Sequence, residues 1–354
     1  MSKPTVAVLF GGRSVEHEVS VISGHQTMDA LDQAGFPILP IYITKQGDWY
    51  AGEGLHNLDL FREQTFHAAG LKDVHRVSLS PDRSVRQLLS HPGASGGLLA
   101  RNASAIAMDK VRTKRILEQA GIPTLDCVEI SRAEWESDAD SIVARSEAKH
   151  GYPAMVKPVA LGSSVGVSRC ADRPALKDAL DLALELDGRA LVETALIDFI
   201  EINCSVMGPP ERVSACEQPV GYESVLSFDD KYKRGGKKLG RGGAQSAGMA
   251  GLARRVPAPI GETLTAEVQS VAAKAFRAID ASGVVRVDFL YDRSKQQLLL
   301  NEINTTPGSL SYYLWEEEGV RFDQLVSALV QIALERHENR RVTVYSFSAN
   351  LLVK

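Results

Sequence analysis

The residues best placed for chemistry lie toward the C-terminal end, in GVVRVDFLYDRSKQQLLLNEINTTPGS. Asp288 stands on one strand-like run and Glu302 and Asn304 on the next, with Asp292–Lys295 as the turn between them. Glu302 and Asn304 are two apart, so on a strand their side chains leave the same face. Pairing through the turn would let Asp288 fall opposite them. Two carboxylates and an amide oxygen form the hard-oxygen set that Mg²⁺ takes when it also holds phosphates. The alternative is a pair of exposed acids on a half-solvated hairpin. Val287, Phe289 and Ile303 read as buried, however, and acids between buried neighbours are costly without a metal or a cationic partner. Arg286 shares the face of Asp288, where it would neutralise a carboxylate or phosphoryl group, or pair with one of the acids.

A second candidate is AMVKPVALGSSVGVSRC. Lys157 ends an apolar strand, within reach of a nucleotide phosphate. The loop Gly162–Ser163–Ser164–Val165–Gly166 offers backbone amides and hydroxyls as an anion cradle. The lysine precedes the glycines and no G-K-[ST] follows, so this is not a Walker A loop; a plain Gly/Ser turn explains it about as well. In LVETAL, Glu193 and the residues after it would form an adenine-facing hinge, and Glu201 would accept hydrogen bonds from a ribose. Each alone reads as an ordinary surface glutamate. In GGRSVEHEVS, Gly11 and Gly12 allow close backbone approach, and Glu16 either faces a substrate or stabilises a helix dipole. A G-x-G-x-x-G is absent, which disfavours NAD.

These residues need elements to hold them. Thr5–Phe10 reads as a buried strand, Glu18–Ala34 as a helix and Ile38–Ile43 as a second strand. That βαβ unit argues for an open α/β sheet at the N-terminus. Residues 51–104 look loop-like, and a charged amphipathic helix is predicted over Met108–Ala120. A second lobe follows, with strands at Pro153–Pro158, Val167–Cys170 and Ala190–Glu193 and a helix near Pro174–Leu186. The third has strands at Glu201–Met207, Arg212–Cys216, Val284–Leu290 and Gln297–Ile303, and helices at Glu262–Ile279 and Phe322–Glu335. Between them, Asp229 to Arg255 is a Gly/Lys/Arg-rich stretch too long for a simple connection, and it reads as a lid, the plain alternative being a disordered insertion.

The chain has 354 residues, 44% hydrophobic and 24% charged, which predicts two or three lobes of an ordinary globular protein. A net charge of −4 with mixed signs leaves no electrostatic footprint for nucleic acid. No apolar stretch approaches membrane length, and the start lacks the marks of a signal peptide. Cys127, Cys170, Cys204 and Cys216 are scattered, so buried free thiols in the cytoplasm are expected.

Taken in this order, GGRSVEHEVS, AMDKVRTKRILEQAGIP, VKPVALGSSVGVS, the acid after IDFI, FDDKY and RVDF…NEINTTPG resemble the D-alanine–D-alanine ligases of the ATP-grasp superfamily. The resemblance spans nearly the whole chain. It implies a Rossmann-like, shortened N-terminal domain (1–104), then a two-lobed ATP-grasp module (105–194 and 195–354) with a lid at about 229–255. It further implies ATP and two Mg²⁺ ions, with Mn²⁺ able to substitute, and a homodimer acting on D-alanine or similar amino acids. Lys110, Lys157 and Lys231 would meet the nucleotide phosphates. Glu193, Ala195 and Leu196 would frame adenine, and Glu201 would bind ribose. Asp288, Glu302 and Asn304 would hold metal. Glu16, Ser163 and Tyr232 would orient the first substrate, while Arg286 and the backbone of Gly308 would stabilise the tetrahedral intermediate.

The sequence also departs from the family pattern. An H-G-x-x-G-E-D-G unit expected before the DK helix is missing, as if removed between Arg101 and Asn102, which would leave exposed edges in the first sheet. After Pro307–Gly308 the text is SLSYYLWEEEG instead of Met-Thr and a later Ser, so Ser309, Ser311 or Tyr313 would have to meet the second substrate. The stretch around Lys231 is more basic and glycine-rich than the family leads one to expect.

Overall fold

The computed structural model describes residues 3–62, 66, 71, 73–79, 88–90, 102–220 and 253–342, and within them the strands form three sheets. Lys231, Tyr232 and the lid expected at 229–252 lie outside the described residues.

The first sheet opens as expected. Strand β1 (Val6–Gly11), helix α1 (His17–Gln33) and strand β2 (Ile38–Ile43) form the βαβ unit, with β1 and β2 parallel. Beyond it the sheet turns antiparallel through β3 (Trp49–Ala51), β4 (His75–Leu79) and β5 (Leu88–Ser90), in the order β1-β2-β3-β4-β5. The loop-like reading of 51–104 is thereby corrected: short strands with few alternating positions hide among turn residues. Among the described residues strand β1 ends the sheet. Gly11 closes β1 at φ +85°, and a Cβ there would lie 2.3 Å from the Ile43 carbonyl oxygen, so glycine alone fits.

The helix expected over Met108–Ala120 is α3 (Lys110–Gln119), and a short helix α2 (Asn102–Met108), not expected, precedes it. Asp109 separates them. Its carboxylate accepts from the Arg112 amide at 2.9 Å as the N-cap of α3, and Arg189 holds its other oxygen. The second sheet is antiparallel, in the order β6-β9-β7-β8: β6 (Cys127–Ser131), β7 (Ala154–Pro158), β8 (Ser168–Cys170) and β9 (Arg189–Thr194). Helices α4 (Arg132–Ser137), α5 (Ala139–His150) and α6 (Arg173–Leu186) accompany it. Leu176, Ala179, Leu180, Ala183 and Leu184 form the buried stripe of α6 that packs on this sheet.

The third sheet runs β12-β11-β10-β13-β14. Its strands are β10 (Phe199–Gly208), β11 (Arg212–Pro219), β12 (Arg254–Arg255), β13 (Gly283–Asp292) and β14 (Gln297–Asn304). Arg254 and Arg255, expected in the loop, belong to this sheet instead. One face buries Ile202, Cys204, Val206, Val285, Val287 and Phe289 against Val268, Ala272 and Phe276 of α7 (Glu262–Ala278). Period-two alternation therefore sends Asn203, Ser205, Arg286 and Asp288 to the other face. Helix α8 (Tyr312–Glu316) follows, and α9 (Phe322–Arg341) runs six residues past the expected Glu335, on a polar stretch with no apolar period to signal it. Cys170, Cys204 and Cys216 are buried free thiols, while Cys127 is only half-buried. No helix among the described residues is long and apolar enough to cross a membrane.

Candidate active site

The site begins with a fault in the β13–β14 ladder. Next to the turn the pairs are Asp292 with Gln297 and Phe289 with Leu300, but Asp288 pairs with Glu302, so Asn301 is an extra residue. In an unbroken register Asp288 would face Asn301, and Glu302 would join Leu298 and Leu300 on the core side. The bulge reverses that. Ile303 enters the core, Glu302 stands directly opposite Asp288, and Asn304 stands opposite Arg286. The convergence expected of Asp288, Glu302 and Asn304 is present, through a device the sequence reading did not include.

Around Asp288 the charges are closely matched. Arg286 grips it as a fork, Nε to Oδ1 and Nη2 to Oδ2, both at 2.7 Å, and Asn304 Nδ2 donates to Oδ2 at 3.0 Å. Burial alone would lower the Arg286 pKa, but Asp288 outweighs it and holds the guanidinium well above its ordinary value. The row continues outward: Asn203 pairs with Asp288 on one side and with Glu217 on the other. Buried Glu217 accepts from Asn203 at 3.0 Å, from Arg254 at 2.9 Å and from the Tyr313 hydroxyl at 3.2 Å. Among the described residues no three His, Cys, Asp or Glu side chains are grouped to hold a metal. Two carboxylates and an amide suit a Mg²⁺ that brings phosphate oxygens and water with it.

Across from this face lies a corner of buried lysines. Lys157, on β7, donates to the bulged Asn301 at 3.1 Å and is ion-paired with Glu193 on β9. Lys114, on α3, meets the other Glu193 oxygen at 3.0 Å and donates to the Leu125 carbonyl at 2.8 Å. Glu193 is not the surface residue that its sequence setting alone suggested. It is fully buried; burial would raise its pKa, but Lys157 and Lys114 outweigh that and pull it down to about 2. Burial opposes the Lys157 charge, and Glu193 more than offsets it, so its pKa is raised. Lys110 donates to the Pro158 carbonyl at 3.3 Å and to that of Leu161, and burial lowers its pKa. Ala195 is buried just past β9, Leu196 is half-buried, and Glu201 is half-buried on β10 opposite Leu290.

The N-terminal sheet reaches the same region twice. Glu16, at the start of α1, accepts from the Ser163 hydroxyl, uniting two residues 147 apart as expected. Ser163 and Ser164 take φ of +53° and +58°, a conformation that persists in non-glycine residues only where neighbours fix it. Second, the loop beyond Gly308 docks on α1: the Ser309 amide donates to Ser23 Oγ at 2.9 Å and its hydroxyl to Gln26 Oε1 at 2.6 Å. Of the residues proposed to meet a second substrate, Ser309 is thus turned to α1 and Tyr313 to Glu217. Lys114, Asn301, Glu217, Ser23 and Gln26 were not found from sequence. Only Lys114 carried a signal, one helical turn after Lys110.

Family models decide the kinship. One described as D-ala D-ala ligase C-terminus matches residues 116–331, and one described as D-ala D-ala ligase N-terminus matches residues 5–106. The chain belongs to the D-alanine–D-alanine ligase family. Within it, the D-alanine–D-alanine ligase of Thermosipho africanus is 32% identical over 374 aligned positions, covering 98% of this chain and 97% of that protein. That of Chloroherpeton thalassium is 34% identical, covering 97% and 99%. The first alignment is longer than this chain, so the relative carries residues without a counterpart here. Among solved structures, the VanG D-Ala:D-Ser ligase of Enterococcus faecalis superposes with a TM-score of 0.76 at 25% identity, covering 94% of this chain and 99% of that one. The D-alanine–D-alanine ligase of Coxiella burnetii, at 23% identity and a TM-score of 0.75, shares the fold.

Proposed function

We propose that this chain is an ATP-dependent carboxylate–amine ligase that joins two D-alanines into D-alanyl-D-alanine for peptidoglycan precursor synthesis. The observation that carries it is the charged face of the β13–β14 hairpin: Asp288 opposite Glu302, Arg286 opposite Asn304, and Asn301 linking that face to Lys157. Such a face gathers cations and hard oxygens where phosphoryl transfer needs them.

In this reading Asp288, Glu302 and Asn304 hold two Mg²⁺ ions, or Mn²⁺ in their place, which would neutralise phosphate charge. Lys110, Lys157 and Lys231 engage the phosphates, Glu193, Ala195 and Leu196 frame adenine, and Glu201 binds ribose. Glu16, Ser163 and Tyr232 orient the first D-alanine. Its carboxylate oxygen bonds to the γ-phosphorus as the bond to ADP breaks. The amine of the second D-alanine then bonds to the acyl carbon as phosphate leaves, and Arg286 with the Gly308 amide steadies the oxyanion between. Lobe boundaries near 104 and 194, a cytoplasmic homodimer and a substrate range confined to small amino acids complete the proposal.

A second reading, a ligase taking another second amino acid, is favoured by one observation. Ser309 is committed to Ser23 and Gln26 and so is turned away from a second substrate. Phosphate release from ATP and Mg²⁺ tests both readings, with D-alanine, L-alanine, D-serine beside D-alanine, or no amino acid, and Glu302→Gln as the blank. Release dependent on D-alanine, with alanyl-alanine as the product by mass, is expected. A mixed product in the D-serine arm would favour the second reading, and no response to D-alanine would sink the first, leaving a screen of other amino acids to decide the second.

A further inference from the structure

Lys114 has no part in the reading above, yet it is among the most buried charges of the molecule, 4% exposed. Its ammonium sits between the Leu125 carbonyl at 2.8 Å and Glu193 Oε2 at 3.0 Å. The other Glu193 oxygen belongs to Lys157. A buried carboxylate is thus shared by two lysines from different elements, α3 and β7, and only Lys157 is also linked to the charged hairpin face, through Asn301.

This sharing has a consequence for any phosphate that approaches Lys157. To reach it the Lys157 ammonium has to loosen its hold on Glu193, and a buried carboxylate left without a partner is strongly disfavoured. With Lys114 on its second oxygen, Glu193 keeps a counter-ion when Lys157 turns. Lys114 does not turn with it, because the Leu125 carbonyl ties it to the segment before β6.

We infer that Lys114 is a positioning residue for nucleotide binding, which holds Glu193 so that Lys157 is released to the phosphates. The inference rests on the nucleotide site proposed above. It requires the effect of Lys114 to pass through Lys157, to be felt by phosphates and not by the nucleoside, and to depend on the charge of Glu193.

Titration calorimetry of the full chain with ATP and with adenosine tests this. Lys114→Met should weaken ATP about tenfold and leave adenosine unchanged, a loss of about 1.4 kcal/mol. Lys114→Arg should recover most of it. In a Lys157→Met background the added Lys114→Met should change ATP affinity little. Equal losses for ATP and adenosine, or the full loss persisting without Lys157, would overturn the inference in favour of a general packing or field effect. Should Lys114→Met fail to fold, Glu193→Gln is compared with Glu193→Gln/Lys114→Met. Unchanged ATP affinity between them supports the inference, and a further tenfold loss overturns it. A weakened response to ATP in Lys157→Met but not in Lys114→Met would remove only this inference, whereas wild-type protein that binds no ATP would remove the nucleotide site with it.

Discussion

The β13–β14 hairpin and the N-terminal sheet both supply residues to the site, but they hold them in different ways. On the hairpin, position is a matter of register: Asp288, Glu302, Arg286 and Asn304 stand where the strand pairing puts them, with an apolar core on the reverse face. The N-terminal sheet and its helix reach the site through individual hydrogen bonds that they accept, Glu16 from Ser163, and Ser23 and Gln26 from Ser309. Register is all-or-none, whereas a hydrogen bond between lobes contributes only about 1 kcal/mol. The chemistry that must not move is therefore set by the hairpin. The contacts that tune it come from the N-terminal sheet.

The sharpest way to break this contrast is to insert one alanine after Asn301. With one more residue and the same bulge, Glu302 moves opposite Val287 on the core side and Ile303 opposite Arg286 on the site face. Burying that carboxylate costs several kcal/mol, roughly the whole stability of a typical domain (about 5–15 kcal/mol). The insertion variant should lose cooperative melting of this lobe and all ATP-dependent phosphate release. Asn301→Ala keeps the residue count and loses only the hydrogen bond to Lys157, a change of about 1 kcal/mol. An insertion variant that melts and turns over like wild type would show that register does not place Glu302.

The next largest effect belongs to Glu193. Its pKa falls from 4.5 to about 2 on folding, so its contribution is fully present above pH 4.5 and is lost as pH falls toward 2. That shift corresponds to about 3 kcal/mol. Denaturant titrations from pH 6 to pH 3, with the pH range set by the shift, should show wild type losing stability more steeply than Glu193→Gln. At neutral pH Glu193→Gln should be less stable by about 3 kcal/mol, because two buried lysines lose their counter-ion. Parallel pH profiles for the two proteins would mean that the ion pairs do not hold the corner together.

These two sites also mark how far the sequence could be read. The hairpin was legible because both strands, the turn and the acids lie within one short stretch with clear alternation. Even there the bulge was not, since no residue type announces an extra position in a strand, and the register that brings Glu302 to Asp288 depends on it. Glu193 was legible as a hinge position but not as a buried ion, because its partners come from α3 and β7, far away in sequence. Helix α2 was missed because seven residues make too short a stretch to show a helical period. Lys231 and Tyr232 lie outside the described residues, so their expected contacts are not among those seen. The antiparallel part of the N-terminal sheet was hidden for a different reason: strands of three to five residues are too short to show a clear period.

The smallest effect tests the N-terminal side of the contrast. Ser309, Leu310 and Ser311 have φ of 53°, 50° and 53°, three non-glycine residues in succession in the left-handed region. Such residues cost of order 1–3 kcal/mol each and persist where surroundings impose them. Here the surroundings are Ser23 and Gln26, together with the packing of Leu310 between the N-terminal core and the α8–α9 cluster. Gln26→Ala should lower kcat about fivefold, equivalent to about 1 kcal/mol, while leaving the KM for ATP unchanged. Ser309→Gly separates the two forces at work. Glycine favours this φ by about 1 kcal/mol but lacks the hydroxyl that Gln26 receives. If backbone strain dominates, Ser309→Gly melts higher than Ser309→Ala and turns over at least as fast. If the grip of α1 dominates, both variants lose rate alike and differ only in melting temperature. The second outcome is expected, because the loop beyond Gly308 is useful only where α1 holds it.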